Sequence, residues 1–219
     1  MVIVAIFVGI ILLGLVIGLV SRPKVQARAR AHVDAVQATA AAFGWQIDRS
    51  PVPDIRARLP LSGMFNTDTA IRATAQLTGQ WRGVPVVALQ LTYGTDGVAT
   101  RTWHTMTMIM VPRPVPGTVV ALSPQGMSWA NFLASDRQIG YAPFDQRYHV
   151  HAKDDEHARA TLTPAVAGLL ATDPRMQDRM LFFGEQDLAA SFPGPVTQQQ
   201  VVAQTADLLL EVAQRQAAR

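Results

Sequence analysis

The chain has 219 residues, of which 49% are hydrophobic and 16% charged, with a formal net charge of +3 and no cysteine. This composition excludes a disordered or repetitive protein and suits one globular domain beside an apolar segment. The lack of cysteine excludes disulfides, cysteine-ligated metals and thiol nucleophiles. Because the charge is small and the basic residues are dispersed, we expect no nucleic-acid partner.

The first predicted element is a membrane span. The run MVIVAIFVGIILLGLVIGLV has no charged side chain, and about 20 helical residues cross the roughly 30 Å hydrocarbon core of a bilayer. A cleaved signal peptide would carry its basic residues before the apolar run, whereas Arg22, Lys24, Arg28 and Arg30 follow it here. By the positive-inside rule we expect a single-pass helix over residues 1–21 in the inner membrane, with the N-terminus outside and the main domain in the cytoplasm.

Two glycines within the span suggest a helix partner. Gly14 and Gly18 have the spacing that lets two membrane helices approach closely, so they are a predicted contact with an integral membrane protein complex. The alternative is that glycine is simply frequent in membrane helices.

A juxtamembrane helix is predicted over residues 22–44. The sequence from Lys24 to Phe43 is rich in alanine, free of glycine and proline, and apolar at helical spacing. Gly44 is the expected C-terminal cap. Residues 45–219 form the predicted cytoplasmic α+β domain.

The middle of the chain predicts a β block. Residues 70–81 and 84–93 flank Arg82-Gly83 and have the apolar pattern of a hairpin. Further strands are predicted over RTWHTMTMIMV, over TVVAL, near residues 179–183 and near residues 187–192. Residues 123–143 look irregular, and Trp129 and Phe132 on one helical turn are predicted partner anchors if they are exposed. The alternative for both rings is a place in the core.

The chain closes with a predicted amphipathic helix from about Thr197, where Thr197 and Gln200 have the spacing of a capping box. The expected fold is therefore α+β, an antiparallel sheet with helices packed on one face and a C-terminal amphipathic helix.

Alternation in the third strand places His104, Met106, Met108 and Met110 on one face. Thioethers beside an imidazole could hold Cu(I). Methionine is also a common core residue, and we interpret this face as buried core.

The stretch FDQRYHVHAKDDEHARATLTP carries His149, His151 and His157, the densest group of candidate metal ligands or acid/base residues. The alternation turns Tyr148 and Val150 toward the core and both strand histidines away from it. The acids that follow suit the start of a helix, and Thr163-Pro164 suits the start of a second one. We therefore interpret the stretch as structural and predict no catalytic residue, cofactor or metal site, with the three histidines as weak metal candidates.

Several short motifs resemble an uncharacterised actinobacterial family with an apolar N-terminal segment and one α+β domain. They are Phe43-Gly44-Trp45, Gly79-x-x-Arg82-Gly83-x-Pro85-Val86, Phe144-Asp145-x-x-Tyr148-x-Val150 and Leu162-Thr163-Pro164. The resemblance implies a fold and no catalytic residue. The layout of one membrane helix and one cytoplasmic domain is also similar to that of the trehalose monomycolate transport factor A family, whose members assist an inner-membrane lipid exporter.

The expected function is that of a non-enzymatic, membrane-anchored accessory or scaffold subunit. Its partner would be an inner-membrane complex for envelope-lipid (mycolate) transport or respiration. The alternative is a tethered small-ligand or lipid-binding domain, whose sheet and C-terminal helix would enclose a pocket lined by the methionine face. No phosphate-cradling glycine loop, G-x-S-x-G elbow or H-E-x-x-H motif occurs in the sequence.

Overall fold

The strands form one antiparallel sheet in the computed structural model, which describes residues 26–48, 71–96, 101–126 and 136–218. Its eight strands have the spatial order β1-β2-β3-β4-β8-β7-β5-β6. Their bounds are β1 Gln46–Ile47, β2 Ile71–Trp81, β3 Val84–Asp96, β4 Arg101–Pro112, β5 Val120–Pro124, β6 Tyr148–Ala152, β7 Met180–Phe183 and β8 Asp187–Pro193.

Two predicted features lie outside the described residues. These are the membrane span over residues 1–21, with Gly14 and Gly18, and the segment that carries Trp129 and Phe132. Within the described part of the chain, no helix has both the length and the apolar character needed to cross a bilayer.

The helices of the described residues are α1 over residues 26–43, α2 Ala142–Asp145, α3 Asp155–Thr161, α4 Pro164–Thr172 and α5 Gln199–Ala217, with a 3₁₀ turn at Pro174–Met176. Helix α1 ends as predicted, because Gly44 has a left-handed φ of 65° and the Trp45 amide donates to the Ala40 carbonyl at 2.8 Å.

The β2–β3 hairpin confirms its prediction. Arg82 and Gly83 have φ values of 51° and 81°, and two positive φ values make the tight turn whose twist matches that of the paired strands. Trp81 faces Val84 directly across the turn.

The larger core lies between the sheet and the helices. Alternate strand residues such as Ile109 and Val111 of β4 pack with Val202 and Leu209 of α5, and all four side chains are at most 1% exposed. Full burial of one such aliphatic side chain stabilises the fold by about 1.5–3 kcal/mol. All the helix residues of the described core belong to this cluster, which confirms the predicted packing on one face.

The opposite face of the sheet carries a second apolar cluster built from strand residues. Met106, Met108 and Met110 lie there with Leu91 and Phe182, all at most 5% exposed. The interpretation of the methionines as core is confirmed. The predicted pocket between this face and the C-terminal helix is wrong, because α5 packs against the other side of β4, through Ile109 and Val111.

The predicted capping box of the C-terminal helix is also wrong. Helix α5 begins at Gln199 after Gln198, and no side chain caps its first turn. The Thr197 carbonyl accepts a hydrogen bond from the Gln199 amide at 3.0 Å, so backbone contacts make the entry to the helix. The sequence spacing was suitable, but the chain turns one residue later than a capping box requires.

Candidate partner-binding groove

A groove runs between α5 and the β2–β3 turn, and we call it the C-terminal groove. Its volume is about 780 Å³. Its walls combine aliphatic side chains and prolines with two oppositely charged pairs at the rim. The lining residues are Arg82, Gly83, Val84, Pro85, Pro112, Pro114, Arg175, Asp207, Leu210, Glu211, Ala213, Gln214 and Ala217.

The first charged pair fastens the hairpin to α5. Trp81 Nε1 donates to Asp207 Oδ1 at 2.7 Å, and Arg82 Nη2 donates to Oδ2 of the same carboxylate at 3.0 Å. The Arg82 side chain is 70% exposed and that of Asp207 29%. An exposed ion pair contributes about 0–1 kcal/mol, so the indole contact is the stronger part of this link. The guanidinium of Arg82 keeps most of its surface for a ligand.

The second charged pair belongs to a network of hydrogen-bonded side chains along the other rim. Arg175 donates to both carboxylate oxygens of Asp173 through Nε at 3.0 Å, and to Glu211 Oε2 through Nη2 at 2.6 Å. Arg215 then donates to Glu211 Oε1 at 3.1 Å. Asp173 also accepts from the Arg175 amide at 2.8 Å and so caps the 3₁₀ turn. This network therefore connects the 3₁₀ turn before β7 to α5.

This network favours the ionised form of Asp173 and of Glu211. Burial alone would raise the pKa of Asp173, but the hydrogen bonds from Arg175 outweigh it and the net pKa lies below the usual range. The pKa of Glu211 is lowered by hydrogen bonds from Arg175 and then Arg215. The hydrogen bond to Asp173 is the main reason that the pKa of Arg175 is raised, against the effect of burial. An acid held in this way is a poor general acid or base near pH 7.

The groove is chemically suited to recognition of another chain. The apolar walls can bury aliphatic groups of a ligand, while Arg82 offers an exposed positive charge. A peptide segment with apolar residues beside an acidic residue would match both properties.

An aromatic cluster supports the hairpin wall of the groove from behind. The rings of Phe43, Trp45 and Trp81 lie with centroids 4.8–6.3 Å apart, in tilted and edge-to-face arrangements. Trp45 Nε1 donates to the Gln80 carbonyl at 2.9 Å. The Phe43-Gly44-Trp45 and Gly79-to-Val86 motifs therefore meet here, as the end of α1 packed on a hairpin.

The histidine-rich stretch forms the predicted strand and capped helices. Tyr148 is 3% exposed and Val150 fully buried. Asp154 caps α3 by accepting the His157 amide at 2.9 Å. Thr163 caps α4 by accepting the Val166 amide at 3.4 Å.

The three candidate histidines contact different partners. His149 Nδ1 lies 3.0 Å from Asp136 Oδ2, His157 Nδ1 lies 2.6 Å from Asp154 Oδ1, and His151 Nε2 lies 3.4 Å from the hydroxyl of Ser123. The rings of His149 and His151 are 6.5 Å apart. Among the residues described, no three His, Asp or Glu side chains gather as a metal site would require.

The fold is similar to that of one solved structure, the crystal structure of the mycobacterial trehalose monomycolate transport factor A. The TM-score is 0.50, the sequence identity is 15%, and the match covers 82% of this chain and 90% of the other. The likeness is one of fold. No family model matches the chain, and no curated protein matches it.

The groove was not predicted from the sequence. A signal for it does exist, because Asp207, Glu211 and Arg215 follow one another at a spacing of four and so lie on one side of α5. This stripe borders the apolar face of the helix and indicates a charged rim. The partners Arg82 and Arg175 come from distant parts of the chain, and only the fold brings them to the stripe.

Proposed function

We propose that this protein is a non-enzymatic accessory subunit, anchored in the membrane by residues 1–21, that binds a segment of an inner-membrane protein complex in the C-terminal groove. Envelope-lipid transport is the proposed setting. The fold likeness to a mycobacterial transport factor supports that setting, and the charge pattern around residues 1–21 supports the anchor.

The main support for this proposal is the set of side chains that line the C-terminal groove. Its carboxylates at Asp207 and Glu211 both accept hydrogen bonds from arginine, which places an ion pair on each rim. Its apolar wall at Leu210 and Ala213 and its exposed Arg82 remain open to a ligand. Such a surface supports the recognition of another chain.

A matched pair of substitutions on α5 tests the groove. Gln214 is exposed and lines the groove, whereas Gln204 is also exposed on the same helix but is not part of its lining. An indole at position 214 would fill the space of a bound side chain. We expect Gln214→Trp to abolish co-purification of a stoichiometric membrane partner from gently solubilised cells, while Gln204→Trp and the wild-type chain retain it.

Equal recovery of the partner by both variants would rule out the groove as the docking site. Recovery of no membrane partner by the wild-type chain, with a bound lipid found in its place by mass spectrometry, would instead favour a lipid-binding function. Thermal unfolding of both variants should stay within about 0.5 kcal/mol of wild type in free energy, since both positions are exposed.

A further inference from the structure

One end of the sheet carries an exposed tryptophan beside an arginine. Trp103 of β4 is 48% exposed, one of the few large hydrophobic side chains in the described residues with this much exposure. The guanidinium carbon of Arg72 lies 5.7 Å from the centroid of its ring. Trp103 faces Gly94 across the β3–β4 pair, and Arg72 faces Thr92 across β2–β3. We call this the hairpin-end patch.

The direction of α1 along the sheet shows which end of this helix is nearer to the hairpin-end patch. Near the end of α1, Trp45 Nε1 contacts the Gln80 carbonyl, opposite Pro85 at the start of β3. Nearer its beginning, His32 Nε2 lies 3.1 Å from Nε2 of Gln90. The helix therefore runs antiparallel to β3, and its N-terminal direction points to the hairpin-end patch.

The lengths of the two elements agree with this placement. From His32 back to Gln26 the helix rises by about 9 Å. From Gln90 forward to Gly94, β3 extends by about 13 Å. Trp103 is thus at least as far toward the N-terminal side of the domain as the first described residue of α1.

The beginning of α1 adds positive charge at the same end of the domain as the hairpin-end patch. All six residues from 26 to 31 are exposed, and they include Arg28 and Arg30. The nearest acid on the helix is Asp34, which lies on the other side of His32. Gln26 follows the end of the apolar run by only six positions, so this end of the domain is the one nearest in sequence to the predicted anchor.

We propose that the hairpin-end patch, with Trp103, Arg72, Arg28 and Arg30, is a membrane-docking surface that binds the anionic headgroup layer of the bilayer. The proposal rests on the anchoring of residues 1–21 in the proposed function. Tryptophan is enriched at the bilayer interface because its ring is apolar and its N–H is polar, and arginines near an anionic leaflet are attracted to its phosphates. The contact would hold the sheet upright on the membrane, with the C-terminal groove at the far end of β3 directed away from the lipid.

The absence of cysteine from the chain makes a site-specific test direct. Thr102 is exposed next to Trp103, and Ala218 is exposed at the other end of the domain, close to the lining of the C-terminal groove. The full chain carrying Thr102→Cys or Ala218→Cys would be labelled with a nitroxide and reconstituted in nanodiscs. One set contains phosphatidylcholine alone, and the other contains added phosphatidylglycerol. Collision of the label with oxygen and with a water-soluble nickel chelate measures its exposure to lipid and to water.

We expect the label at position 102 to gain collisions with oxygen and lose collisions with nickel when phosphatidylglycerol is present. The label at position 218 should collide freely with nickel in both sets. Trp103→Ser, and separately the combination Arg28→Gln, Arg30→Gln and Arg72→Gln, should abolish the lipid-dependent shift at position 102.

Free collision with nickel at position 102 in both nanodisc sets, in a chain that is embedded in the discs, would overturn the docking surface and leave the anchor intact. Protection of this label from both oxygen and nickel would indicate contact with protein and would also overturn it. A chain that fails to enter the discs at all would contradict the anchor of the proposed function itself.

Discussion

The indole ring of Trp45 lies against the α-carbon of Gly79. A β-carbon built at Gly79 would stand 2.1 Å from Trp45 Cδ1, far inside any real contact. The ring cannot easily move aside, because Trp45 is 5% exposed and its Nε1 is bonded to the Gln80 carbonyl. Gly79 is therefore required by the close approach of a side chain, and the end of α1 packs on the sheet through this contact.

Gly79→Ala should destabilise the domain. The added methyl group must displace the indole or bend β2, and overpacking of this kind costs about 1–3 kcal/mol in the free energy of unfolding. Gly168→Ala is the matched control, since a β-carbon there meets no atom within 4 Å and the position lies within α4. This control should stabilise the protein by about 0.5–1 kcal/mol, because alanine is the better helix former. Urea denaturation of both variants measures the difference, and equal stability of the two would show that Trp45 does not restrict position 79.

The two oxygens of the Asp207 carboxylate accept from Trp81 and from Arg82, and we expect the loss of these two hydrogen bonds to have unequal effects on stability. Asp207→Ala leaves the indole N–H without its acceptor, at a cost of about 1–3 kcal/mol in unfolding free energy. Arg82→Ala removes only the exposed ion pair and should cost about 0–1 kcal/mol. Asp207→Asn keeps an acceptor oxygen for the indole and should lie between them. Thermal unfolding of the three variants checks the order, and a larger effect for Arg82→Ala would make the ion pair the main link.

The backbone of the fold was predictable because its signals are local. The alternation in RTWHTMTMIMV, the Arg82-Gly83 turn and the Thr163-Pro164 helix start each depend on a few neighbouring residues. Their strands, turn and cap are all present. The capping box at Thr197 was also read from a local pattern, but the backbone entry to α5 takes its place.

The surfaces were less predictable, because they depend on residues far apart in sequence. Asp207 meets Trp81 over a separation of 126 positions, and Arg175 meets Glu211 over 36. Alternation along β4 was enough to infer that the methionine face is core. It did not show which side of β4 the C-terminal helix would cover. That choice depends on contacts between α5 and β4, which lie far apart in the sequence and which no local pattern specifies.

The Asp173–Arg175 interaction makes stability depend on pH at the acid end. The pKa of Asp173 is lower in the folded protein than its ordinary value of about 3.9. A lowered folded pKa stabilises the protein at pH values above the unfolded pKa, and this stabilisation is lost as the pH falls through the folded pKa. The free energy of unfolding of the wild-type chain should therefore exceed that of Asp173→Asn by a constant amount above about pH 5.

Below about pH 4 the difference should shrink, and it should vanish as the pH falls through the lowered pKa of folded Asp173, where the carboxyl becomes neutral like the amide. Urea denaturation of both proteins between neutral and acid pH provides the measurement. A difference that stays constant down to the lowest pH would mean that Asp173 stabilises the protein through its shape and its cap of the 3₁₀ turn, and not through its charge.

The two threonines at the ends of α4 offer a last comparison within one helix. Thr163 precedes the helix and its hydroxyl accepts the Val166 amide, whereas Thr172 in the last turn is exposed and donates to the Gly168 carbonyl at 3.0 Å. A free amide at a helix start needs an acceptor, so Thr163→Ala should lower the free energy of unfolding by about 0.5–2 kcal/mol. Thr172→Ala removes a hydroxyl whose carbonyl acceptor is already part of the helix, and it should change this free energy by less than about 0.5 kcal/mol. Hydrogen exchange of the Val166 amide should also accelerate in Thr163→Ala alone. Equal effects of both substitutions would mean that the cap contributes nothing specific to the start of α4.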